Sequence, residues 1–514
     1  MLSLSNDKLK VVVLMTNQNK RPFLLTGIIL VVILLILTIF LFLYLSGKSG
    51  SSDIIVLDGL FEEWQFREPV YTDPEGDNPG DSIDFTSIYI DNDQDYLYLN
   101  FDLNRETNLQ NGSDLILYID TDNDPASGDD FNGLGADLVY DLGKRNGRYY
   151  HDGFRKPLDH HLFGLITMPT VTSDSFEIGI ARTNFPQGAP VFASDEIKVA
   201  LAHNIPEGDL LPDLGDSITY TFTDEESDPP ASVTFEKNDP SHLRIVSWNT
   251  LKDGLLKDKR TDSFQNVLKA INPDIINLQE MYVTQAPKIK TQLEQWFPGT
   301  EWYVHKMGDL ITISRYPIVE PAEGRFPVIN GACPVLIELP DGEQVLIINT
   351  HFRCCDQDDL RQREIDEVMM LIRDSKTPGD RVDIIPDTPI IILGDMNLVG
   401  YAQQVDTLLY GDIVNEDKFG EDFAPDWDDT SLTDLLSRHT ETRHSFTWRD
   451  DRTSFSPGRL DYFIFTDSVL DVAKHYILDT AELSEEKLAE YGLEADDSLT
   501  ASDHLTFVVD FLFK

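Results

Sequence analysis

The chain has 514 residues, of which 41% are hydrophobic and 10% aromatic, a composition that supports folded domains and excludes global disorder. Its 90 Asp and Glu residues outnumber 41 Lys and Arg, and the net charge of −49 argues against tight, sequence-independent binding of nucleic acid. The 3 cysteines exclude a disulfide-rich scaffold and a zinc-ribbon pattern.

The first predicted element is an apolar segment near the N-terminus. Residues 23–46 are almost wholly Leu, Ile, Val and Phe, and about 20 such residues span a bilayer. Because Lys20 and Arg21 precede this segment, the positive-inside rule places residues 1–22 in the cytoplasm and the rest of the chain outside. We therefore expect an uncleaved, single-pass signal anchor. A long cleaved signal peptide is the alternative, and it exports the same residues.

The next segment, residues 53–223, has an all-β pattern. Short apolar runs such as Thr86–Ile90, Tyr96–Phe101 and Leu115–Ile119 are separated by clusters of Asp, Asn, Gly and Pro. Such regular spacing of short strands predicts a β-sandwich.

One loop of this predicted sandwich is rich in carboxylates. Asp120, Asp122 and Asp124 alternate along it, and oxygen ligands at this density suit Ca²⁺, with a solvated acidic loop as the alternative. The stretches Asp58-Gly-Leu-Phe-Glu-Glu-Trp64 and Tyr118-Ile-Asp-Thr-Asp-Asn-Asp resemble family-nine-type carbohydrate-binding modules. The resemblance implies a β-sandwich accessory module that binds carbohydrate and structural calcium. Trp64, however, lies where a core Trp is expected.

A polar, acidic and Pro-bearing stretch predicts a linker over residues 224–241. After it, residues 242–514 alternate between strands and helices. Predicted helices cover Phe264–Ile271, Ala286–Trp296 and Asp359–Arg373. This alternation predicts a domain with mixed α/β layers.

Polar side chains mark the ends of six predicted strands in this domain. Four sites follow strands and two precede them, so all six meet at one rim if the last two strands run antiparallel to the others. The residues are Asn249, Glu280, His351, Asp395 with Asn397, Asp461, and Asp503 with His504.

These residue types suit metal-assisted hydrolysis of a phosphoester. Glu280, with oxygen ligands from Asn249 or Asp503, has the donors for one hard divalent ion. Asp395 is placed to accept a proton from the attacking water, and Asn397 to orient that water.

Two imidazoles complete this predicted set. His504, partnered by Asp461, and His351 supply the acid and base groups that an in-line displacement uses.

The order of the motifs resembles the endonuclease/exonuclease/phosphatase superfamily, also called DNase I-like. The motifs are Ser-Trp-Asn249, Leu-Gln-Glu280, Asn-Thr-His351, Leu-Gly-Asp395-Met-Asn397, Arg-Leu-Asp461-Tyr and Ser-Asp503-His504. The resemblance covers residues 242–514 and implies an α/β/β/α four-layered sandwich and Mg²⁺-dependent phosphoesterase activity.

The same resemblance implies a role for each matching residue. Glu280 is the metal ligand, Asn249 lies near metal and phosphate, and Asp503 and His504 match the Ser-Asp-His end of the family pattern. Asp395 and Asn397 position the nucleophile, Asp461 hydrogen-bonds His504, and His351 helps to protonate the leaving group. Leu251 stands where apurinic-site endonucleases carry an Asp, which disfavours that branch.

We therefore expect a membrane-anchored, extracytoplasmic and monomeric phosphodiesterase that uses Mg²⁺ or Mn²⁺ and hydrolyses nucleic acid. A phosphodiesterase acting on phospholipid head groups, of the sphingomyelinase kind, is the first alternative, and a phosphomonoesterase is the second. A catalytically inactive carbohydrate-binding or adhesion protein is the alternative of another class.

The three cysteines suggest one further feature. A two-residue turn at Asp341-Gly342 would place Cys333 opposite Thr350, near Cys354 and Cys355. A disulfide between Cys333 and one of the adjacent cysteines would suit an oxidising compartment, and three free thiols are the alternative.

Overall fold

Four large β-sheets dominate the fold in a computed structural model that describes residues 55–78, 83–151, 153–183, 190–223, 230–319, 326–379 and 382–514. Residues 54–514 form one compact unit. No helix within the described ranges is long and apolar enough to cross a membrane. The predicted span, residues 23–46, lies outside those ranges, as do residues 1–22.

The first two large sheets belong to the N-terminal module. In chain order its strands are β1 (Tyr71–Thr72), β2 (Phe85–Asn92), β3 (Tyr96–Thr107), β4 (Leu115–Asp120), β5 (Asp129–Phe131), β6 (Leu134–Ala136), β7 (Leu138–Asp141), β8 (Asn146–His151), β9 (Phe154–Leu158), β10 (Ile166–Met168), β11 (Ser173–Ala181), β12 (Glu196–His203), β13 (Leu210–Leu211) and β14 (Ile218–Thr221). One sheet has the order β1-β2-β3-β11-β10. The other has the order β13-β12-β4-β7-β8-β9, with β14 paired to β12.

Alternating side chains close these two sheets over a shared core. Phe85 and Ile88 of β2 and Phe176 of β11 pack with Leu117 of β4 and Val199 of β12, and all five are fully buried. Burial of such side chains contributes roughly 1.5–3 kcal/mol each relative to exposure. The β-sandwich predicted for residues 53–223 is present in the described part of that range.

The other two large sheets build the C-terminal domain. Its strands are β15 (Leu243–Asn249), β16 (Ile275–Gln279), β17 (Tyr303–Met307), β18 (Leu310–Ser314), β19 (Ile318–Val319), β20 (Ala332–Glu338), β21 (Gln344–His351), β22 (Ile390–Asp395), β23 (Thr433–Asp434), β24 (Asp461–Phe465), β25 (Leu470–Leu478) and β26 (Thr506–Phe513). The first sheet has the order β17-β18-β16-β15-β26-β25, and the second has the order β19-β20-β21-β22-β24-β23.

Seven α-helices accompany these sheets in the described residues. They are α1 (Thr261–Ile271), α2 (Ala286–Trp296), α3 (Asp358–Ser375), α4 (Gln403–Tyr410), α5 (Glu416–Phe419), α6 (Glu485–Tyr491) and α7 (Asp497–Ala501). The three helices predicted from periodicity are confirmed as α1, α2 and α3. Helix α1 ends where Asn272 takes a left-handed conformation, with φ of 52°.

The helices cover the outer faces of both sheets. In α1, Phe264, Val267, Leu268 and Ile271 share one face and pack on the first sheet beside Trp248. Helix α3 packs a similar row of apolar side chains against the sheet that contains β21 and β22. The inner face of that sheet and the inner face of the sheet that contains β15 and β16 share one core. These layers are the predicted α/β/β/α sandwich.

Strand direction brings the predicted polar sites to one rim. Strands β15 and β16 are parallel, as are β21 and β22. Strand β24 runs antiparallel to β22, and β26 runs antiparallel to β15. The amino ends of β24 and β26 therefore meet the carboxyl ends of the other four strands, as the predicted convergence requires.

Part of the predicted linker packs against the C-terminal domain. Residues 224–229 lie outside the described residues, but Phe235 is buried against Tyr476 and Tyr491. Lys237 also pairs with Asp274. The chain between the two domains is therefore held over at least residues 233–237.

The predicted register of Cys333 is wrong, and so is the predicted disulfide, for which three free thiols were the alternative. The β20–β21 hairpin pairs Glu338 with Gln344, and Leu339 N bonds Glu343 O, so three residues form the turn rather than two. This shift places Cys333 opposite Asn349 instead of Thr350. Cys333 is buried, Cys354 and Cys355 are exposed, and all three are free thiols.

Candidate active site

The predicted residues meet at a cavity of about 730 Å³ on the rim where the six strands end. Six of the eight residues predicted for the catalytic domain line it: Glu280, His351, Asp395, Asn397, Asp503 and His504. The other two, Asn249 and Asp461, are fully buried and contact residues of the lining. The structure therefore brings all eight together.

Asp395 is the centre of this group. Its Oδ2 accepts a hydrogen bond of 2.8 Å from Asn249 Nδ2, and the Nε2 atoms of His504 and His351 lie 3.6 and 3.7 Å away. Burial raises the pKa of Asp395, while the two imidazoles favour its carboxylate form.

Gly394 explains why a glycine precedes this aspartate. Its φ is 131°, and a Cβ at this position would lie 2.2 Å from Thr350 O on the neighbouring strand. Only glycine allows β21 and β22 to approach so closely. This approach sets His351 beside Asp395, its register partner in β22.

His504 is held by a buried carboxylate. Its Nδ1 lies 2.8 Å from Asp461 Oδ2, the pairing that was predicted. Burial disfavours the imidazolium, but Asp461 and Asp395 outweigh it and raise the pKa of His504 to about 10. His504 is therefore a protonated group at neutral pH in this arrangement.

His351 has a carboxylate partner that the sequence analysis missed. Its Nδ1 lies 2.6 Å from Asp309 Oδ2. Burial opposes protonation, but Asp309 and Asp395 raise the pKa of His351 to about 9, and the same ion pair lowers the pKa of Asp309. Asp309 lies in the turn between β17 and β18, directly after Gly308. A Gly-Asp turn is the only sequence signal, and it gives no indication of a partner on the other sheet.

Glu280 is connected to Asp395 through Asn249, whose Nδ2 lies near both carboxylates. Its backbone has φ of 59°, its Oε2 accepts from Lys252 N at 2.8 Å, and Asn249 Nδ2 lies 3.4 Å from its Oε1. Leu251, Lys252 and Asp253 all have positive φ, an unfavourable conformation that presents the Lys252 N–H to the carboxylate.

The donor set around Glu280 fits a hard divalent cation. Glu280 and Asp503 offer carboxylates to the same cavity, and Mg²⁺ needs only one or two besides water and substrate oxygens. The Oδ1 of Asn249 accepts from Leu251 N, and its Nδ2 faces the carboxylates of Asp395 and Glu280. The assignment of Asn249 as a ligand stays a prediction.

In the N-terminal module, the structure gathers a related set of carboxylates. Asp120, Asp122 and Asp137 bring oxygen atoms within 4.8 Å of one another, whereas Asp124 is not part of this group. Asp120 is fully buried, both its oxygens lack a hydrogen bond among the described residues, and Lys198 Nζ lies 3.7 Å away.

Trp64 is not available to a carbohydrate. Its side chain is buried, and its Nε1 donates to Glu177 Oε2 at 3.2 Å. It is the core residue that its position suggested. Carbohydrate binding by the module stays a prediction.

Comparison with known proteins gives one family match. The model of the Endonuclease/Exonuclease/phosphatase family matches residues 246–504, half of the chain. No curated protein sequence matches the chain.

Three solved structures illustrate the structural matches. The human Nocturnin catalytic domain with bound sulfate anion is 17% identical, covers 55% of this chain and 97% of its own, and has a TM-score of 0.34. D. rerio TDP2 complexed with single strand DNA product is 16% identical, with coverages of 53% and 99% and a TM-score of 0.34. The beta toxin from Staphylococcus aureus is 16% identical, with coverages of 52% and 99% and a TM-score of 0.31.

Proposed function

Since this chain belongs to the endonuclease/exonuclease/phosphatase family, whose members are phosphoric ester hydrolases, we propose that it is a divalent-metal-dependent phosphodiesterase. The observation that carries the proposal is the position of Asp395. It is a buried carboxylate between two imidazoles, each of which has a carboxylate partner of its own.

Each group in this arrangement has a distinct task. Asp395 accepts a proton from the attacking water, and Asn397 helps to place that water because its N–H bonds Asp395 Oδ1 and its side chain bonds Phe352 O. His504 and His351 hold protons that stabilise charge on the phosphoryl group and that the leaving oxygen can take.

Glu280 and Asp503, with Asn249 nearby, are the residues that would hold Mg²⁺ or Mn²⁺. When bound, such an ion supplies Lewis-acid polarisation of the phosphoryl oxygen. Lys252 N fixes the Glu280 carboxylate for this purpose.

Hydrolysis of phosphodiester bonds in nucleic acid is the form expected from the sequence, but a cavity lining with one arginine, no lysine and six carboxylates argues against an extended duplex as the substrate. Hydrolysis of a phospholipid head group is the alternative, and the membrane segment predicted at residues 23–46 favours it. A catalytically inactive protein is disfavoured because no residue of the predicted site is missing from the sequence and all eight lie at or against one cavity.

The test uses the full-length chain in detergent with bis(p-nitrophenyl) phosphate as substrate. We expect turnover with Mg²⁺ or Mn²⁺, complete loss with EDTA, and recovery when the ion is restored. Asp395→Ala and His504→Ala should each reduce kcat by at least about 100-fold, because each removes a group that moves or holds a proton. His161→Ala, a half-buried histidine outside the cavity lining, is the matched control. Activity that survives EDTA, or that both site variants retain, would refute the proposal.

We further propose that residues 23–46 anchor the enzyme with its active site outside the cytoplasm. This rests on the sequence alone. Intact cells should then hydrolyse a membrane-impermeant substrate, and activity that appears only after lysis would contradict it.

A further inference from the structure

The N-terminal module contributes to the cavity that contains the catalytic residues. Asn108, Gln110 and Asn111, between β3 and β4, and Thr170, after β10, line the same cavity as His351 and His504. A substrate bound there meets both domains.

Hydrogen bonds hold the module's segment 108–111 against the C-terminal domain. Asn108 Nδ2 donates to Val399 O at 3.1 Å, and Gln110 Oε1 accepts from Ser456 N at 3.2 Å. Val399 and Ser456 also line the cavity. The contact therefore lies at the cavity edge, and it fixes the segment rather than leaving it as a free loop.

Contacts made by Arg145 and Thr170 of the N-terminal module hold the same edge of the cavity in position. Arg145 donates to Gln110 O and Ser454 Oγ, and its guanidinium lies 4.1 Å from the centre of the Phe455 ring. Thr170 Oγ1 donates to Leu398 O at 2.9 Å. Fixed walls reduce the entropy lost when a ligand binds, so this edge is suited to recognition.

The side chains of segment 108–111 suit a polar, compact ligand. Asn111 is exposed and lines the cavity. Gln110 also lines it, and its oxygen accepts from Ser456 N, so its Nε2 is the group that remains to donate to a ligand. Carboxamides both donate and accept hydrogen bonds, and they read polar groups without requiring a charge.

The charge of the cavity argues against an extended polyanion. Its lining includes one arginine, Arg353, no lysine, and six carboxylates: Glu280, Asp309, Asp356, Glu364, Asp395 and Asp503. A protein that follows a nucleic acid backbone neutralises several phosphates with Lys or Arg. A volume of about 730 Å³ is also in the range of small-molecule sites.

We propose that segment 108–111 of the module is one wall of the substrate site, where Gln110 and Asn111 bind the non-reacting part of a compact phosphoester, and that this wall excludes an extended nucleic acid duplex. The proposal rests on the proposed phosphodiesterase activity and names its substrate class.

The test compares two substrates on the full-length chain with Mg²⁺. We expect bis(p-nitrophenyl) phosphate to be hydrolysed, and supercoiled plasmid to be nicked at least roughly 10-fold more slowly per phosphodiester. The double variant Gln110→Ala/Asn111→Ala should raise KM for the compact substrate by about 10-fold and leave kcat within a factor of about two, because it removes binding and not chemistry. Gln65→Ala, an exposed carboxamide of the same module outside the lining, should change neither constant. An unchanged KM in the double variant, or equal turnover of plasmid, would overturn the inference.

A binding measurement separates this inference from the proposed function. In an Asp395→Asn background, calorimetric titration with bis(p-nitrophenyl) phosphate and Mg²⁺ needs no turnover. The double variant should weaken this binding by about 10-fold. Equal Kd values would show that Gln110 and Asn111 do not bind the substrate, even if the enzyme is active. A clear difference between the two Kd values would support binding by these residues, even if no phosphoester is hydrolysed.

Discussion

The pairing of Asp309 with His351 makes a pH-dependent prediction for the variant Asp309→Asn. The Asp309 carboxylate lies 2.6 Å from His351 Nδ1. Burial lowers the pKa of His351, and Asp309 contributes most to raising it. With an Asn in its place, we expect the pKa of His351 to fall from about 9 toward its ordinary value of 6.5.

The size of the effect follows from these two pKa values. At pH 8 the wild-type ring is mostly protonated, whereas a ring with a pKa near 6.5 is protonated about 30-fold less often. At pH 6 the two populations differ by less than about twofold. If the His351 proton goes to the leaving oxygen, kcat of Asp309→Asn should therefore fall about 30-fold at pH 8 and little at pH 6.

The assay compares two leaving groups across this pH range. An alkyl leaving group needs the proton, while p-nitrophenolate leaves readily without it, so only the alkyl substrate should show the full loss. Asp356→Asn removes a carboxylate from the same cavity lining, makes no hydrogen bond to His351, and serves as the matched control. An equal loss at pH 6 and pH 8, or with both leaving groups, would refute this role for His351.

Two further predictions concern stability. Glu482 accepts hydrogen bonds from His439 Nδ1 at 2.7 Å and from His444 Nδ1 at 2.8 Å. Burial opposes protonation of His439, but the Glu482 carboxylate outweighs it and raises the pKa of His439. Burial also opposes the charge of Glu482, but the two histidines hold the pKa of Glu482 well below its ordinary value. Glu482→Gln should lower the free energy of unfolding by about 3–5 kcal/mol at pH 6. In urea titrations this difference should narrow as the pH rises through the folded-state pKa of His439, because a raised histidine pKa stabilises the fold only while the ring is protonated. A loss that stays constant as the pH rises would contradict the charged pair. We also propose that Ca²⁺ binds Asp120, Asp122 and Asp137, so Ca²⁺ at about 100 times its Kd should raise Tm by roughly 5 °C in wild type and not in Asp120→Asn, and an equal rise in both would place the ion elsewhere.

Much of the catalytic rim could be predicted from the sequence because its residues stand at strand ends. Buried strands such as β16 and β22 are short apolar runs, and the polar residue that follows each run must lie at an edge of the sheet. Gly394 entered the prediction only as part of the family motif, and the close approach between strands that it allows became clear from the structure. Local pattern was therefore enough to place these side chains at sheet edges, but their meeting on one rim also depends on the antiparallel direction of β24 and β26.

Contacts between separate layers could not be predicted in the same way. Asp309 and His351 lie on different sheets, and their pairing depends on how the sheets stack rather than on any spacing along the chain. The cysteine register failed for a smaller reason, because one additional turn residue moves Cys333 to a different partner. The module wall is a third case, since nothing in segment 108–111 indicates which surface of the other domain it meets.

The charge of the whole chain and the charge of the site act over different distances, and this difference favours a compact substrate. A net charge of −49 repels any phosphate, but salt screens that repulsion beyond about 8 Å under physiological conditions. Inside the cavity, protonated His351 and His504 act at contact distance and are screened far less, and the proposed divalent cation would act in the same way. A ligand with one phosphate gains these contacts in full. A polymer gains them at one phosphate only, while its other phosphates remain beside an acidic surface and the module wall.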